Sequence, residues 1–416
     1  MTASDSPPSA SSPPNSAFRH RGFLLYWLAR FMVSFATQVI SVAVGWQVYD
    51  MTRDPFDLGI VGLVQFLPSL LLVLATGAAA DRYNRRAIMG LCFALEAVVC
   101  AGLLAVTWSG TASVLPIFVL LAVLGVARAF MGPATQSLLP NLVPPATLSN
   151  AIAWNSSSWQ VATITGPVAG GLLYGLSSYA AYGTALVLIV VGTALTVMIP
   201  KPVQRVSSQA RSLATLFAGF RYVWSEKVVL GAISLDLFAV LLGGAMALLP
   251  VYARDILQAG PWGLGLLRSA PGVGALLVAW WLARNAVRDH AGVVMFIGVA
   301  GFGIFTTVFG ASTAVWLSVA ALALAGACDM ISVYVRETLI QLWTPDDVRG
   351  RVNAVNMVFV GASNELGEFR AGVSAALIGT VPAVVFGGIG TIAVALLWAV
   401  WFPQLRRIRH LEGRHR

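Results

Sequence analysis

The sequence predicts an all-α integral membrane protein, with twelve transmembrane helices in two pseudo-symmetric six-helix bundles. Three observations carry that expectation. The chain is 58% hydrophobic and only 10% charged, against roughly 25% charged in soluble domains, so it cannot cover itself with polar surface in water. Its apolar residues come in repeated runs of about 20, the length a helix needs to cross a hydrocarbon core roughly 30 Å thick. Sliding the chain against itself by 201 residues superposes the fourth and fifth runs on the tenth and eleventh. The runs are continuous and do not alternate with period two, which selects helices over barrel strands.

Taken in order, residues 1–18, MTASDSPPSASSPPNSAF, are rich in Ser and Pro and lack a basic-then-apolar pattern. They read as a disordered tail rather than a signal peptide. An N-terminal bundle, 19–200, follows, with spans at about 23–48, 57–80, 87–107, 114–139, 149–174 and 180–199. The longest polar interruption, KPVQRVSSQARSLATLFAGFRYVWSEK at 201–227, is a central loop. Its second part reads as either a surface-lying amphipathic helix or a plain linker. The C-terminal bundle, 228–402, has spans at about 228–252, 264–284, 291–310, 315–341, 351–379 and 382–402, and a basic tail, 403–416, closes the chain.

The net charge of +9 is a topology signal. Of 26 Lys and Arg, nineteen fall in the tails and the loops of one side, only Arg53 and Arg254 in the opposite loops, and five within spans. That asymmetry places the basic side and both termini in the cytoplasm, with the chain in the inner membrane; it argues against a nucleic-acid partner. The lipid bilayer and a small-molecule substrate are the expected partners, and a monomer is expected. Cys92, Cys100 and Cys328 lie within spans without metal-ligand spacing, and the four histidines sit in tails or loops. Neither a metal nor a cofactor is expected. No His-Glu-x-x-His, Gly-x-Ser-x-Gly or Gly-x-x-x-x-Gly-Lys-Ser/Thr occurs, so neither an enzyme nor a self-contained ATP-driven pump is indicated.

The repeat is carried by Gly125/Gly326, Leu138/Leu339, Pro144/Pro345, Ala153/Ala354, Asn155/Asn356, Gly166/Gly367 and Gly171/Gly372. A shift of 206 then aligns Leu58-Gly59 with Leu264-Gly265 and Arg82 with Arg288. Parallel six-helix repeats suit a protein whose halves rock about a site near the bilayer midplane.

Between the second and third spans, GAAADRYNRR sets one carboxylate and three guanidiniums between two apolar runs. Gly77, Asp81, Arg82 and Arg86 there match Gly-x-x-x-Asp-Arg-x-x-x-Arg, and the chain resembles the major facilitator superfamily. Asp81 is expected at the start of the third span, where the helix dipole favours a carboxylate. The resemblance implies that this cluster latches the two halves in one conformation; the second half has Val287 where Asp81 would align. Arg128, deep in LGVARAFMGPATQSLLP, is similar to the superfamily's span-4 arginine. ITGPVAGGLL resembles the glycine signature of antiporters, at Gly166, Pro167, Gly170 and Gly171. GLGLLRSAPGVGALL and RETLIQLWTPDDVRGRVNAVNMVFVGASNELGEFRAG look like the enterobactin-exporter and macrolide-efflux branch, the transmembrane secretion effectors.

A charge at mid-bilayer costs about 2.5–3.5 kcal/mol on insertion scales, so buried charges are the candidates for function. Arg30, Arg128, Asp236, Asp329, Glu365 and Glu368 are the proton-coupling candidates. Arg128 and Asp329 are equivalent under the 201-residue shift, and Glu365 and Glu368, three residues apart, share one helix face. Glu96 is a further buried charge, Arg336 and Glu337 are expected near the cytoplasmic end, Arg268 is expected to snorkel at the outer end, and Arg370 and Glu368 could form a fixed ion pair. Trp46, Trp154, Trp159, Phe359 and Asn364 are candidate cavity residues. Together these predict a secondary transporter driven by an ion gradient, the proton's by preference, that exports a small, partly lipophilic molecule by alternating access. An uptake symporter of the same fold, and a non-transporting sensor or scaffold, are the alternatives.

Overall fold

The computed structural model describes residues 16–201, 213–285, 287 and 289–408. The expected tail at 1–18 thus lies mostly outside the described residues, as do much of the central loop, Arg288 and the end of the basic tail. No strand occurs among the described residues. The first half comprises α1 (Arg21–Thr52), α2 (Pro55–Arg82), α3 (Arg85–Ser109), α4 (Leu115–Leu138), α5 (Leu148–Leu176) and α6 (Ser178–Met198). A short helix, α7 (Leu213–Ser225), leads to the second half: α8 (Lys227–Gly243), α9 (Gly260–Arg284), α10 (Ala291–Ala311), α11 (Val315–Trp343), α12 (Asp346–Ile378) and α13 (Thr380–Trp401).

Among the described residues, ten helical segments are long and apolar enough to cross a membrane. The remaining two long helices, α5 and α12, run 29 and 33 residues but are more polar. Of their polar residues, Ser158 of α5 is buried and Glu365 and Glu368 of α12 line an internal chamber.

Local chemistry sets the ends. Arg53 turns left-handed after α1, Asp54 accepts the backbone N–H of Phe56 at 2.8 Å, and Pro55 opens α2. Asn84 caps α3 by accepting from the backbone N–H groups of Arg86 and Ala87, and Gly110 ends it with φ 63°. Asp81 therefore falls in the last turn of α2 rather than at the start of the third span, because α2 continues to Arg82 and Asn84 is the cap. The seventh span, expected unbroken over 228–252, stops at Gly243 and resumes as irregular turns from Met246 to Ile256. The guanidinium of Arg370 on α12 donates to the carbonyls of Leu241, Leu242 and Gly244, which the break sets free. Arg370 is thus committed to α8 and not to an ion pair with Glu368.

The repeat is visible in the packing. α1 packs on α5 and α6, α3 on α4 and α6, and α2 on α4; α8 packs on α12 and α13, α10 on α11 and α13, and α9 on α11. Gly125 of α4 abuts the Gln65 carbonyl of α2, and Gly326 of α11 abuts the Pro271 carbonyl of α9. Those glycines are 201 residues apart and their partners 206, the two shifts found in the sequence.

The halves meet along two seams, α5 on α9 and α2 on α12. At the first, a Cβ on Gly171 would run into the Pro261 carbonyl oxygen and stand 3.2 Å from Gly265. At the second, a Cβ on Gly372 would stand 2.8 Å from Gly59 and from the Pro55 carbonyl oxygen. These contacts are mates under the same shifts. They lie at the end of the bundle opposite the basic loops, called here the far end. Ion pairs Asp50–Arg254 (2.5 Å) and Arg53–Asp255 (3.3 Å) join the halves there, and the Tyr49 hydroxyl donates to Asp255.

Leu at Gly171 or at Gly372 is expected to wedge its seam and part the far end. Spin labels at the exposed Leu176 and Trp316 should then move apart by several Å. Leu at Gly175, where a Cβ would meet nothing within 4 Å, should leave the separation alone. Equal distance distributions in all three variants would show that the seams do not hold the halves.

A two-chambered cavity between the halves

α1, α3, α4, α5 and α9 line a chamber of about 420 Å³ that runs from mid-bundle toward the basic end. Its wall includes Arg30, Ser34, Thr37, Gln38, Ser41, Phe93, Arg128, Met131, Thr135, Trp159 and Arg268. A smaller chamber of about 110 Å³ adjoins it and shares Ser41, Arg128 and Arg268. There α12 presents Glu365 and Glu368, opposite Gly62 and Gln65 of α2.

The guanidiniums are held by neutral side chains, with Glu365 in electrostatic reach of Arg128 and Arg268 and Glu368 in reach of Arg268. Arg128 donates to the Gln65 side-chain oxygen at 2.7 Å, Arg268 to the Ser41 hydroxyl at 2.7 Å, and Arg30 to the Tyr26 hydroxyl at 3.4 Å. Ion pairs among the described residues involve none of the three. Glu365 and Glu368 are half-buried and have no ion pair within 4.0 Å. Their room comes from Gly62, where a Cβ would stand 3.2 Å from a Glu365 carboxylate oxygen and 3.3 Å from one of Glu368.

The cavity therefore brings together Arg30, Arg128, Glu365 and Glu368 of the proton-coupling candidates and leaves two elsewhere. Asp236 is buried in an ion pair with Arg336, whose Nε lies 3.7 Å from Glu337. Asn356 donates to Glu337 at 2.9 Å. Asp329 belongs to the same region, within electrostatic reach of Asp236 and Arg336. Glu96 is buried on α3, with Arg128 the cation in reach, and neither of its oxygens has a hydrogen-bond partner.

Of the five cavity candidates, Trp159 lines the larger chamber. The others lie outside both walls, and packing explains where they went. Trp46 is buried at the far end under the Arg254 guanidinium, 5.4 Å from its ring centroid. Trp154 meets Phe18 and Trp27 near the basic end, Phe359 stacks on Phe220 of α7, and Asn364 donates to the Val360 carbonyl of its own helix.

Arg268 is the main correction. Expected to snorkel outward, it points into both chambers. Gly265 and Gly272, three residues before and four after, share its helix face and pack toward α5; that small-residue stripe was the available signal. In the antiporter-like segment, Gly166 and Gly170 pack against α1 at Gln38 and Val39, while Gly171 and the Pro167 carbonyl face α9. At the basic end, Arg85 donates to the Ser137 carbonyl at 3.2 Å and Arg86 to the Ile199 carbonyl, tying α3 to the C-terminal ends of α4 and α6. Arg86 here acts within one half. Gly77 is buried and Arg82 exposed; the Asp81 side chain lies outside the described residues.

A sequence profile for transmembrane secretion effectors matches residues 12–412. The enterobactin exporter EntS of Citrobacter koseri is 26% identical over 399 residues, covering 94% of each chain, and EntS of Escherichia coli O1:K1 is 25% identical over the same span. Among solved structures, a bacterial homologue of the iron transporter ferroportin superposes with TM-score 0.69 at 17% identity, covering 95% of this chain and 100% of its own. The nucleoside transporter NupG superposes with TM-score 0.69 at 13% identity, covering 92% and 99%. These likenesses establish the fold.

Two stability outcomes follow from the buried charges. Arg370→Leu strips three carbonyls of their donor and should lower stability by about 2 kcal/mol or more. Arg336→Leu strands Asp236 and should cost about 3–5 kcal/mol, with much of that recovered in Arg336→Leu/Asp236→Leu. Thermal unfolding of the purified variants reads both; single and double variants unfolding alike would show that the pair is not a unit.

Proposed function

The chain belongs to the transmembrane secretion effector family of major facilitator transporters, and from that premise we propose that it is a proton-coupled exporter. Fold and family are those of a multi-pass membrane transporter of small molecules and not of an enzyme. The proposed cargo is small and partly lipophilic, moved outward by alternating access in exchange for an inward proton.

The observation that carries this reading is the Glu365/Glu368 pair. Two unpaired carboxylates on one helix face, half-buried in a chamber wall, form a group that takes up and gives back a proton as its surroundings change. Glu368 lies four residues and Glu365 seven from Gly372 and its seam, so the proton site and the moving contact are joined by one to two turns of helix. Asp236, clamped by Arg336, is assigned a structural part instead. With the basic side in the cytoplasm, the larger chamber faces the cell interior and the far-end seams close the outer side, a loading conformation for export. Curated relatives that are named exporters support the direction. A monomer in the inner membrane with both termini inside completes the reading; Gly77, Asp81, Arg82 and Arg86 are proposed as the latch of the alternate conformation.

The test compares small molecules in the medium of cells lacking and overproducing the protein, with and without a protonophore. Overproduction should raise external levels of particular compounds, and the protonophore, Glu365→Gln or Glu368→Gln should each reverse that rise by about tenfold or more. Export that survives protonophore and both substitutions would remove the proton and these carboxylates from the mechanism.

A further inference from the structure

The two chambers differ in charge: the larger is lined by cations alone, whereas the smaller sets two carboxylates beside the shared Arg128 and Arg268. Three guanidiniums, Arg30, Arg128 and Arg268, look into the larger one, and no carboxylate stands in its wall. Two carboxylates look into the smaller. The Nε of Arg30 is buried without a hydrogen-bond partner, and Arg128 and Arg268 each direct one bond of their several donors at a neutral side chain. By contrast, Arg370 is bonded to carbonyls and Arg336 is ion-paired with Asp236. Glu96 on α3 is a further buried charge without a hydrogen-bond partner and stands in neither chamber wall.

We infer that the substrate is amphoteric: an acidic group of the substrate seats on Arg30, Arg128 and Arg268, and a basic nitrogen seats on Glu365 and Glu368. Val33, Phe93, Met131 and Trp159 give the larger chamber an apolar wall for the carbon skeleton. The inference rests on the transporter reading above and extends it to the chemistry of the cargo.

Exchange with a proton favours this class over a plain acid. A purely anionic ligand adds negative charge beside the carboxylates and binds better when they hold protons, so ligand and proton would travel together. An ammonium group competes with the proton for the same carboxylate oxygens. Loading from the inside then releases the proton, and a proton arriving from outside releases the cargo.

The test sorts the compounds whose external level follows expression of the protein by binding to cation- and anion-exchange resins. Compounds retained by both, at pH values that expose each charge, are the expected class. An exported compound is then N-acetylated or esterified to remove one charge at a time. Each derivative should be exported about tenfold less well, about 1.4 kcal/mol. Binding to the purified protein, read as ligand-induced thermal stabilisation, should then discriminate parent from ester less in Arg30→Gln than in the unaltered protein, and parent from N-acetyl form less in Glu365→Gln. Arg30→Lys, which keeps the charge, should retain the parent's preference and guards against misfolding as the cause. Exported compounds that are only acids, only bases or uncharged would overturn the inference while leaving the transporter standing. No expression-dependent compound at all would overturn both.

Discussion

Everything in this molecule depends on two places where a side chain is missing. Gly171 and Gly372 let α5 and α12 approach backbones of the opposite half so closely that a methyl group would collide with it. Lipid gives apolar helices no hydrophobic incentive to associate, so close packing and polar contacts must supply the attraction. Because the two contacts are related by the internal repeat, neither half bears the load alone. The Asp50–Arg254 and Arg53–Asp255 pairs add charge across the same end. Cavity position follows: halves joined at one end diverge toward the other, and the divergence is the larger chamber.

Interior charges fall into two populations. One is consumed by architecture: Arg370 fills the break after α8, Arg336 and Asp236 neutralise each other, and Arg85 and Arg86 cover helix ends. The other, Arg30, Arg128, Arg268, Glu365 and Glu368, faces the cavity, with Arg128 and Arg268 positioned by the neutral side chains of Gln65 and Ser41 and, among the described residues, no salt bridge within 4.0 Å. Glu96 stands apart, enclosed and without a bonding partner.

Much of the fold was legible because the bilayer imposes a length and the duplication imposes a register. Gly125, Gly166 and Gly171 and their mates Gly326, Gly367 and Gly372 all sit at tight helix contacts. Hydropathy concealed the break at Gly243, since the residues beyond it are as apolar as those before, and the donor that repairs it lies 126 residues or more away. The site was half legible. Composition marks a buried charge but not the direction it faces; the i−3 and i+4 glycines turn Arg268 inward, whereas packing against α7 takes Phe359 away. Trp46 was misjudged for a related reason, since an aromatic ring serves a cation at the closed end as readily as a ligand in the middle.

Within α12, the eight residues from Glu365 to Gly372 hold the carboxylate pair, the clasp on the interrupted helix and the glycine of one seam. Eight helical residues span roughly 11 Å and bend little over that length. Neutralising a carboxylate, re-gripping the loose end of α8 and sliding against α2 are consequently displacements of a single stiff rod. Such a rod needs no relay of intermediate side chains: a change of load at one point is felt at the others through the backbone itself.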